Sequence, residues 1–176
     1  MKRQSSQINN LVFRPPVMTD GPSMQALVEA SPPLDNNSRY CYLLLCEYFA
    51  DTCAVVEADG EILAFVTAYV PPGKPDTLAV WQVAVASSLR GQGVARQLID
   101  HVLRRPGLEH IRFVEATVNP SNDASRALFA SLAKACETTM SEACIFPKTL
   151  FPSGHEQENL LRVGPFQIHT AIQEQS

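Results

Sequence analysis

The sequence predicts one α/β (α+β) domain built on a central mixed, mostly antiparallel sheet flanked by helices, and three observations carry that expectation. The 176 residues suit a single domain with a core of its own. Short Val-rich runs alternate with amphipathic stretches in the order strand, helices, hairpin, strand, helix, strand, helix, strand. Asp59-Gly60, between two apolar runs, is a hairpin signal, so at least that part of the sheet is antiparallel. Apolar residues make up 45% and charged residues 18% of the chain, which are globular values.

Leu11-Val12-Phe13-Arg14, stopped by Pro15-Pro16, reads as an edge strand. A helix follows Asp20, with Pro22 in its first turn and Met24, Leu27 and Val28 on one face, and Pro32-Pro33 breaks it. Asp35-Asn36-Asn37-Ser38 is dense in N-cap types, and Cys41, Leu44, Leu45 and Tyr48 then recur at helical spacing. Thr52–Val56 and Ile62–Ala68 form the hairpin strands, and Pro71–Pro75 is a loop. Leu78–Ala86 reads as a central strand interrupted by Gln82. After a Gly-containing turn comes a helix with Ala95, Leu98, Ile99 and Val102 on one face, ended by Pro106-Gly107. Ile111–Val118 is a strand, and Asn119-Pro120-Ser121-Asn122 opens a helix that stacks Ala124, Leu128 and Leu132. From Thr138 to Phe166 one or two strands surround a loop at Phe151–Gly154. Residues 11–168 form the expected domain, with flexible tails at 1–10 and 169–176.

A net charge of −4 gives no basic field for nucleic acid or a membrane surface. The longest apolar run is far below the roughly 20 residues of a membrane helix. The polar start lacks the apolar region of a signal peptide, which makes the cytoplasm the expected location. Cys41, Cys46, Cys53, Cys136 and Cys144 contain no CxxC pair and read as small buried hydrophobes, with no metal site.

Chemistry concentrates in the turn after the central strand. Arg90-Gly91-Gln92-Gly93-Val94-Ala95 joins a buried strand to a helix N-terminus. Unpaired amides and a partial positive charge collect there, and glycines let the backbone approach a phosphate closely. Arg90 and Arg96 add positive charge. The spacing fits neither a P-loop nor a dinucleotide fingerprint. Anion binding and a plain tight turn both remain open on these grounds.

The same six residues resemble the acyl-CoA loop of the GNAT superfamily of N-acetyltransferases, [RQ]-x-x-G-x-[GA]. Val83-Ala84-Val85 is similar to that family's fourth strand, and Asn122–Phe129 to its following helix. Leu34–Leu45, Val80–Val85, Phe151–Glu156 and Arg162–Pro165 resemble the branch that acetylates L-2,4-diaminobutyrate in ectoine biosynthesis. The resemblance implies the GNAT acyl-CoA N-acyltransferase fold, acetyl-CoA as co-substrate, no metal and a homodimer. It implies acetyl transfer to the 4-amino group of a small zwitterion. Val83, Val85, Arg90, Gly91, Gln92, Gly93, Val94, Ala95 and Asn122 would hold the cofactor, and an amide of the Val83–Val85 strand would stabilise the oxyanion. The family's leaving-group Tyr is replaced by Phe129, which cannot donate a proton and also reads as a core aromatic.

The acceptor requires carboxylates for its ammonium groups and a donor for its acid group. Asp35 is the first candidate for an amine contact, or else a helix cap. Ser38 and Tyr40 share that turn, and Tyr40 also reads as core. Trp81 could lie over an ammonium or be a core indole. His155 is a candidate base or a solvated loop residue, and Glu156 beside it is a candidate substrate contact. Glu115 is a candidate base or an exposed or capping acid. His101, Arg104 and Arg105 complement a helix dipole or touch the nucleotide phosphate. The rival readings are an acetyltransferase for a polyamine, aminoglycoside or protein N-terminus, and a catalytically silent CoA-binding module.

Overall fold

A computed structural model describes residues 10–32 and 34–167 of the chain. The expected tails lie outside the described residues apart from Asn10, as does Ile168 of the expected domain. The strands are β1 (Val12–Arg14), β2 (Ala54–Ala58), β3 (Glu61–Tyr69), β4 (Thr77–Val85), β5 (Phe113–Val118), β6 (Met140–Phe146) and β7 (Glu158–Val163). The α-helices are α1 (Gly21–Glu29), α2 (Arg39–Tyr48), α3 (Val94–Leu103) and α4 (Asp123–Ala135). One seven-stranded sheet runs β1-β2-β3-β4-β5-β7-β6. Its neighbours are antiparallel except β4 and β5, which α3 connects.

Local chemistry sets these boundaries. Asp59 and Gly60, at φ 52° and 80°, supply the left-handed pair that a tight β2–β3 hairpin needs. The Asn122 side chain accepts the Ser125 amide at 3.0 Å and caps α4. Leu98, Ile99 and Val102 of α3, with Phe129 and Leu132 of α4, pack on one face of the sheet in the main core. Met24, Val28, Tyr42 and Cys46 from α1 and α2 pack with Val55, Phe65 and Ala84 on the other face.

Three details depart from the sequence reading. The buried face of α2 is Tyr42, Leu45 and Cys46, while Tyr48 is 73% exposed, because α1 approaches from the side that Tyr42 faces. The α4 stack centres on Phe129, Leu132 and Ala133, and Ala124 is exposed. All five cysteines are free; Cys46 and Cys53 are buried as expected, but Cys144 is exposed because β6 lies at the sheet edge.

Two features of β4 position the site. Thr67 pairs with Gln82 and Ala68 with Val80, so Trp81 is the extra residue of a β-bulge. Val80 lies in the α3/α4 core and Val83 packs against it; the bulge therefore turns Trp81 and Gln82 in succession toward the α1/α2 face. Pairing between β4 and β5 covers Thr77–Val80 and ends at Val80 opposite Ala116. Beyond that point the two strands separate into a cleft.

Candidate active site

The β4 wall of the cleft carries free backbone groups. Gln82 and Ala86 amides bond toward β3, to Thr67 Oγ1 at 3.2 Å and Leu63 O at 2.8 Å. Strand alternation then turns the Val83 and Val85 amides to the cleft side. Next comes the glycine loop, with Gly91 and Gly93 at φ 74° and 76°. Gly93 precedes α3 in the left-handed conformation, and its carbonyl accepts the Gln97 amide at 3.0 Å. The amides of Val94, Ala95 and Arg96 have no acceptor within the helix and collect at its positive end.

The arginines are held by contacts within the chain. Arg90 Nε donates to Val85 O at 2.9 Å and its Nη2 to Ser31 Oγ at 3.1 Å, so its guanidinium braces the loop against the end of α1. Arg96 faces Asp100 at 3.8 Å. What the loop offers an anion is chiefly main chain. Arg105 Nη1 donates to the carbonyls of Ala50, Asp51 and Cys53 and ties the end of α3 to the segment before β2.

On the acceptor side, α2 is capped by Ser38, whose hydroxyl accepts the Cys41 amide at 3.4 Å. Asp35 is therefore not the cap. Its carbonyl accepts Gln82 Nε2 at 2.8 Å, which pins the loop to the bulge. Tyr42, fully buried, donates to Gln82 Oε1 at 2.9 Å and completes a relay from core to loop. Trp81 is 49% and Tyr40 68% exposed, so neither is a core aromatic. Phe129 is one, at 2% exposed.

The β6–β7 loop supplies the opposite wall. His155, half-buried, stacks on Phe151 at 4.1 Å, and its Nδ1 lies 2.6 Å from Glu156 O. Glu156 accepts the Ser121 amide at 3.3 Å and ties this loop to the start of α4. Sequence reasoning passed over Glu158. Burial pushes its carboxyl above the usual range; the charge of His155 opposes the shift, and those of Asp35 and Glu156 add to it. The carboxylates of Asp35 and Glu156, from two separate loops, thus act on that of Glu158 on β7.

Glu115 is neither exposed nor capping. It is 4% exposed on β5, bound by Lys74 Nζ at 3.0 and 2.9 Å and by Arg162 Nη1. Its oxygens are occupied by two cations, which corrects its reading as a free base. Among the described residues no group of His, Cys, Asp and Glu is arranged to hold a metal ion. None of the helices there is long and apolar enough to cross a membrane.

A cleft between parallel strands, a bulge on one of them and a glycine loop at a helix N-terminus form a constellation that the family comparison identifies. The model of the Acetyltransferase (GNAT) family matches residues 22–133. This chain belongs to the GNAT family.

Within the GNAT family it is similar to the L-2,4-diaminobutyric acid acetyltransferase of Marinococcus halophilus, at 44% identity over 94% of this chain and 96% of that protein. The Bordetella parapertussis enzyme of the same name is 48% identical over 88% of this chain and 84% of its own. Among solved structures, the diaminobutyrate acetyltransferase of Paenibacillus lautus, in complex with L-2,4-diaminobutyric acid and coenzyme A, superposes with a TM-score of 0.85. That pair is 42% identical and covers 89% of this chain and 96% of the other. The ribosomal-protein-S18-alanine N-acetyltransferase of Escherichia coli, at TM-score 0.64 and 20% identity, covers 90% of this chain and 96% of its own and shares the GNAT fold alone.

Proposed function

We propose that the chain transfers the acetyl group of acetyl-CoA to the 4-amino group of L-2,4-diaminobutyrate, giving N4-acetyl-L-2,4-diaminobutyrate on the route to ectoine. The observation that carries this reading is the likeness to the Paenibacillus lautus enzyme over most of both chains. The carboxylates of Asp35, Glu156 and Glu158 support it independently, since a diammonium acceptor needs such a lining.

Bound acetyl-CoA supplies the thioester. The main-chain amides from Gly91 to Arg96 would receive the pyrophosphate, and Asn122, which caps α4, would hold the start of that helix for the cofactor. The Val83 amide, turned to the cleft side, would donate to the charge that develops on the thioester oxygen; a donor of this kind contributes about 3 kcal/mol to the transition state. An alkyl ammonium, with a pKa near 10, must lose a proton before attack. Glu158, with its raised carboxyl, takes that proton, assisted by His155. Trp81 and Tyr40 wall the acceptor. Phe129 leaves no acid on α4 at its position, so the thiolate departs as the anion and is protonated by solvent.

The assembly we propose is a homodimer. Among the described residues β6 pairs only with β7, and Ile145, Phe146 and Leu150 are 43%, 41% and 67% exposed along and just beyond that edge strand. We place the enzyme in the cytoplasm, where its five free thiols persist.

The test is incubation with acetyl-CoA and L-2,4-diaminobutyrate, with ornithine, lysine and putrescine alongside, following thiol release and the position of the acetyl group. Preferential formation of the N4-acetyl product supports the reading. Turnover only on another amine, or binding of acetyl-CoA without turnover, overturns it. Sedimentation at twice the 19.3 kDa chain mass supports the dimer, and a monomer refutes it.

A further inference from the structure

The segment that joins α1 to α2 carries Asp35, and β4 with the loop after it holds that segment at two points. At one point the Asp35 carbonyl accepts Gln82 Nε2 at 2.8 Å, from within β4. At the other the hydroxyl of Ser31, 3% exposed, accepts Arg90 Nη2 at 3.1 Å, from the loop that follows β4. Between them the Leu34 amide donates to Ser31 O at 3.1 Å, and the Leu34 side chain packs against the α1/α2 core. The charge of Asp35 also acts on Glu158, so this segment faces the candidate base.

Arg90 belongs to the surroundings of both substrates. Its Nε donates to Val85 O at 2.9 Å. In an antiparallel strand the amide and carbonyl of one residue point the same way, so Val85 O lies on the cleft side with the Val83 and Val85 amides. One guanidinium thus spans the cleft edge of β4 and the buried hydroxyl of the segment that carries Asp35. Both of its acceptors are neutral oxygens, so the two bonds fix the side chain and leave its charge in place. A planar fork with donors at fixed angles suits such a bridge, whereas an ammonium group is a single point on a flexible stem. The turn beyond it is held by little else from Gly91, where a Cβ would meet nothing within 4 Å.

We infer that Arg90 is a positioning residue for the acceptor, setting through Ser31 the place of the Asp35 segment beside the candidate base. This role rests on the acceptor reading above. It gives the arginine of the glycine loop a task on the amine side of the reaction, apart from any contact with the cofactor. Cofactor seated on the amides of that loop steadies Arg90, and through Ser31 the steadying reaches Asp35. By linkage the two substrates favour each other's binding by the same factor.

The experiment measures the KM of L-2,4-diaminobutyrate at saturating acetyl-CoA, and that of acetyl-CoA at saturating acceptor, in single and double variants. Ser31→Ala removes the hydroxyl and keeps both the arginine and its bond to Val85. It is expected to raise the KM of the amino acid about three- to tenfold, with that of acetyl-CoA within about twofold. Arg90→Lys keeps a positive charge on the loop but not the bridge, and should raise the acceptor KM to a similar extent. Because Arg90 is exposed, this variant reads the tether even where the buried Ser31→Ala folds poorly. With both substitutions together the acceptor KM should rise no further than with either alone, since both remove one bond; independent losses would multiply. An unchanged acceptor KM in both single variants, equal rises for the two substrates in Ser31→Ala, or multiplied effects in the double variant overturn the assignment and leave the acceptor reading standing. A wild-type chain without turnover on diaminobutyrate overturns both.

Discussion

The side-chain amide of Gln82 donates a 2.8 Å hydrogen bond to the backbone carbonyl of Asp35, so the bulged strand also holds the loop that faces the acceptor. Gln82→Met keeps the length and removes both ends of the relay, leaving the Tyr42 hydroxyl buried without its acceptor. We expect a stability loss of about 1–3 kcal/mol and a rise in acceptor KM of about tenfold, with acetyl-CoA affinity within about twofold. Tyr42→Phe spares the Asp35 bond and should cost stability with a smaller KM effect. Steady-state kinetics beside urea unfolding separate the two. An unchanged KM in Gln82→Met would reduce Gln82 to a core strut.

The raised carboxyl of Glu158 fixes the sign of a pH effect. A base must be ionised to act, and a group above the ordinary carboxylate range takes up its proton earlier as the medium is acidified. Activity should therefore fall on acidification at a pH higher than an unperturbed glutamate would give. Glu158→Gln should abolish that limb and lower kcat by about 10²- to 10⁴-fold. A pH–rate profile of both proteins checks this, and an intact limb in the variant assigns it elsewhere.

Gly93→Ala should act on cofactor binding. A Cβ there would meet nothing nearer than Gln97 Nε2 at 3.8 Å, so the obstacle is the φ of 76° rather than space. The left-handed conformation costs a non-glycine residue about 1–2 kcal/mol. The chain can accept that strain or tilt the first amides of α3 away from the ligand. A lower Tm or a weaker CoA dissociation constant, read by calorimetry, is the expected outcome; loss of neither would show the turn tolerates a side chain.

Asp20 links the β1–α1 corner to pH. Burial alone would raise its carboxyl, but Arg14 at 2.7 and 2.9 Å and the Val17 amide at 2.8 Å bring it below its ordinary value. A carboxyl lowered by folding stabilises the native state above its unfolded pKa, and that contribution disappears as pH falls through the folded value. Wild type should exceed Asp20→Asn by roughly 1–3 kcal/mol at pH 7 and lose its advantage below about pH 3.9. Urea titrations at several pH values decide it.

Hairpin, glycine loop, helix order and the antiparallel bias were legible because each rests on local chemistry: Asp59-Gly60, the periodicity of α3, the Pro22 and Asn122 starts. The burial of α2 was not. Tyr42 and Tyr48 are equally apolar in the sequence, and only the approach of α1 decides which is covered. The Trp81 bulge also escaped, because an extra residue shows only once its partner strand is in register. Gln82 did leave a mark, as the polar residue interrupting an apolar central strand, and its buried relay explains the interruption. Glu115 was misread because its two cations come from residues 41 and 47 positions away, beyond any local pattern.

The β4–β5 ladder ends at Val80 and Ala116, and this has a consequence for the lifetime of the protein. The Val83 and Val85 amides should exchange with solvent readily in the free chain and slowly with acetyl-CoA bound. Those of Gln82 and Ala86, bonded to β3, should be protected in both states. Occupancy then adds to stability by mass action, about 2.7 kcal/mol at 100 times the dissociation constant. Resistance to proteases would follow the supply of acetyl-CoA, so a starved cell would clear the enzyme faster than one able to use it.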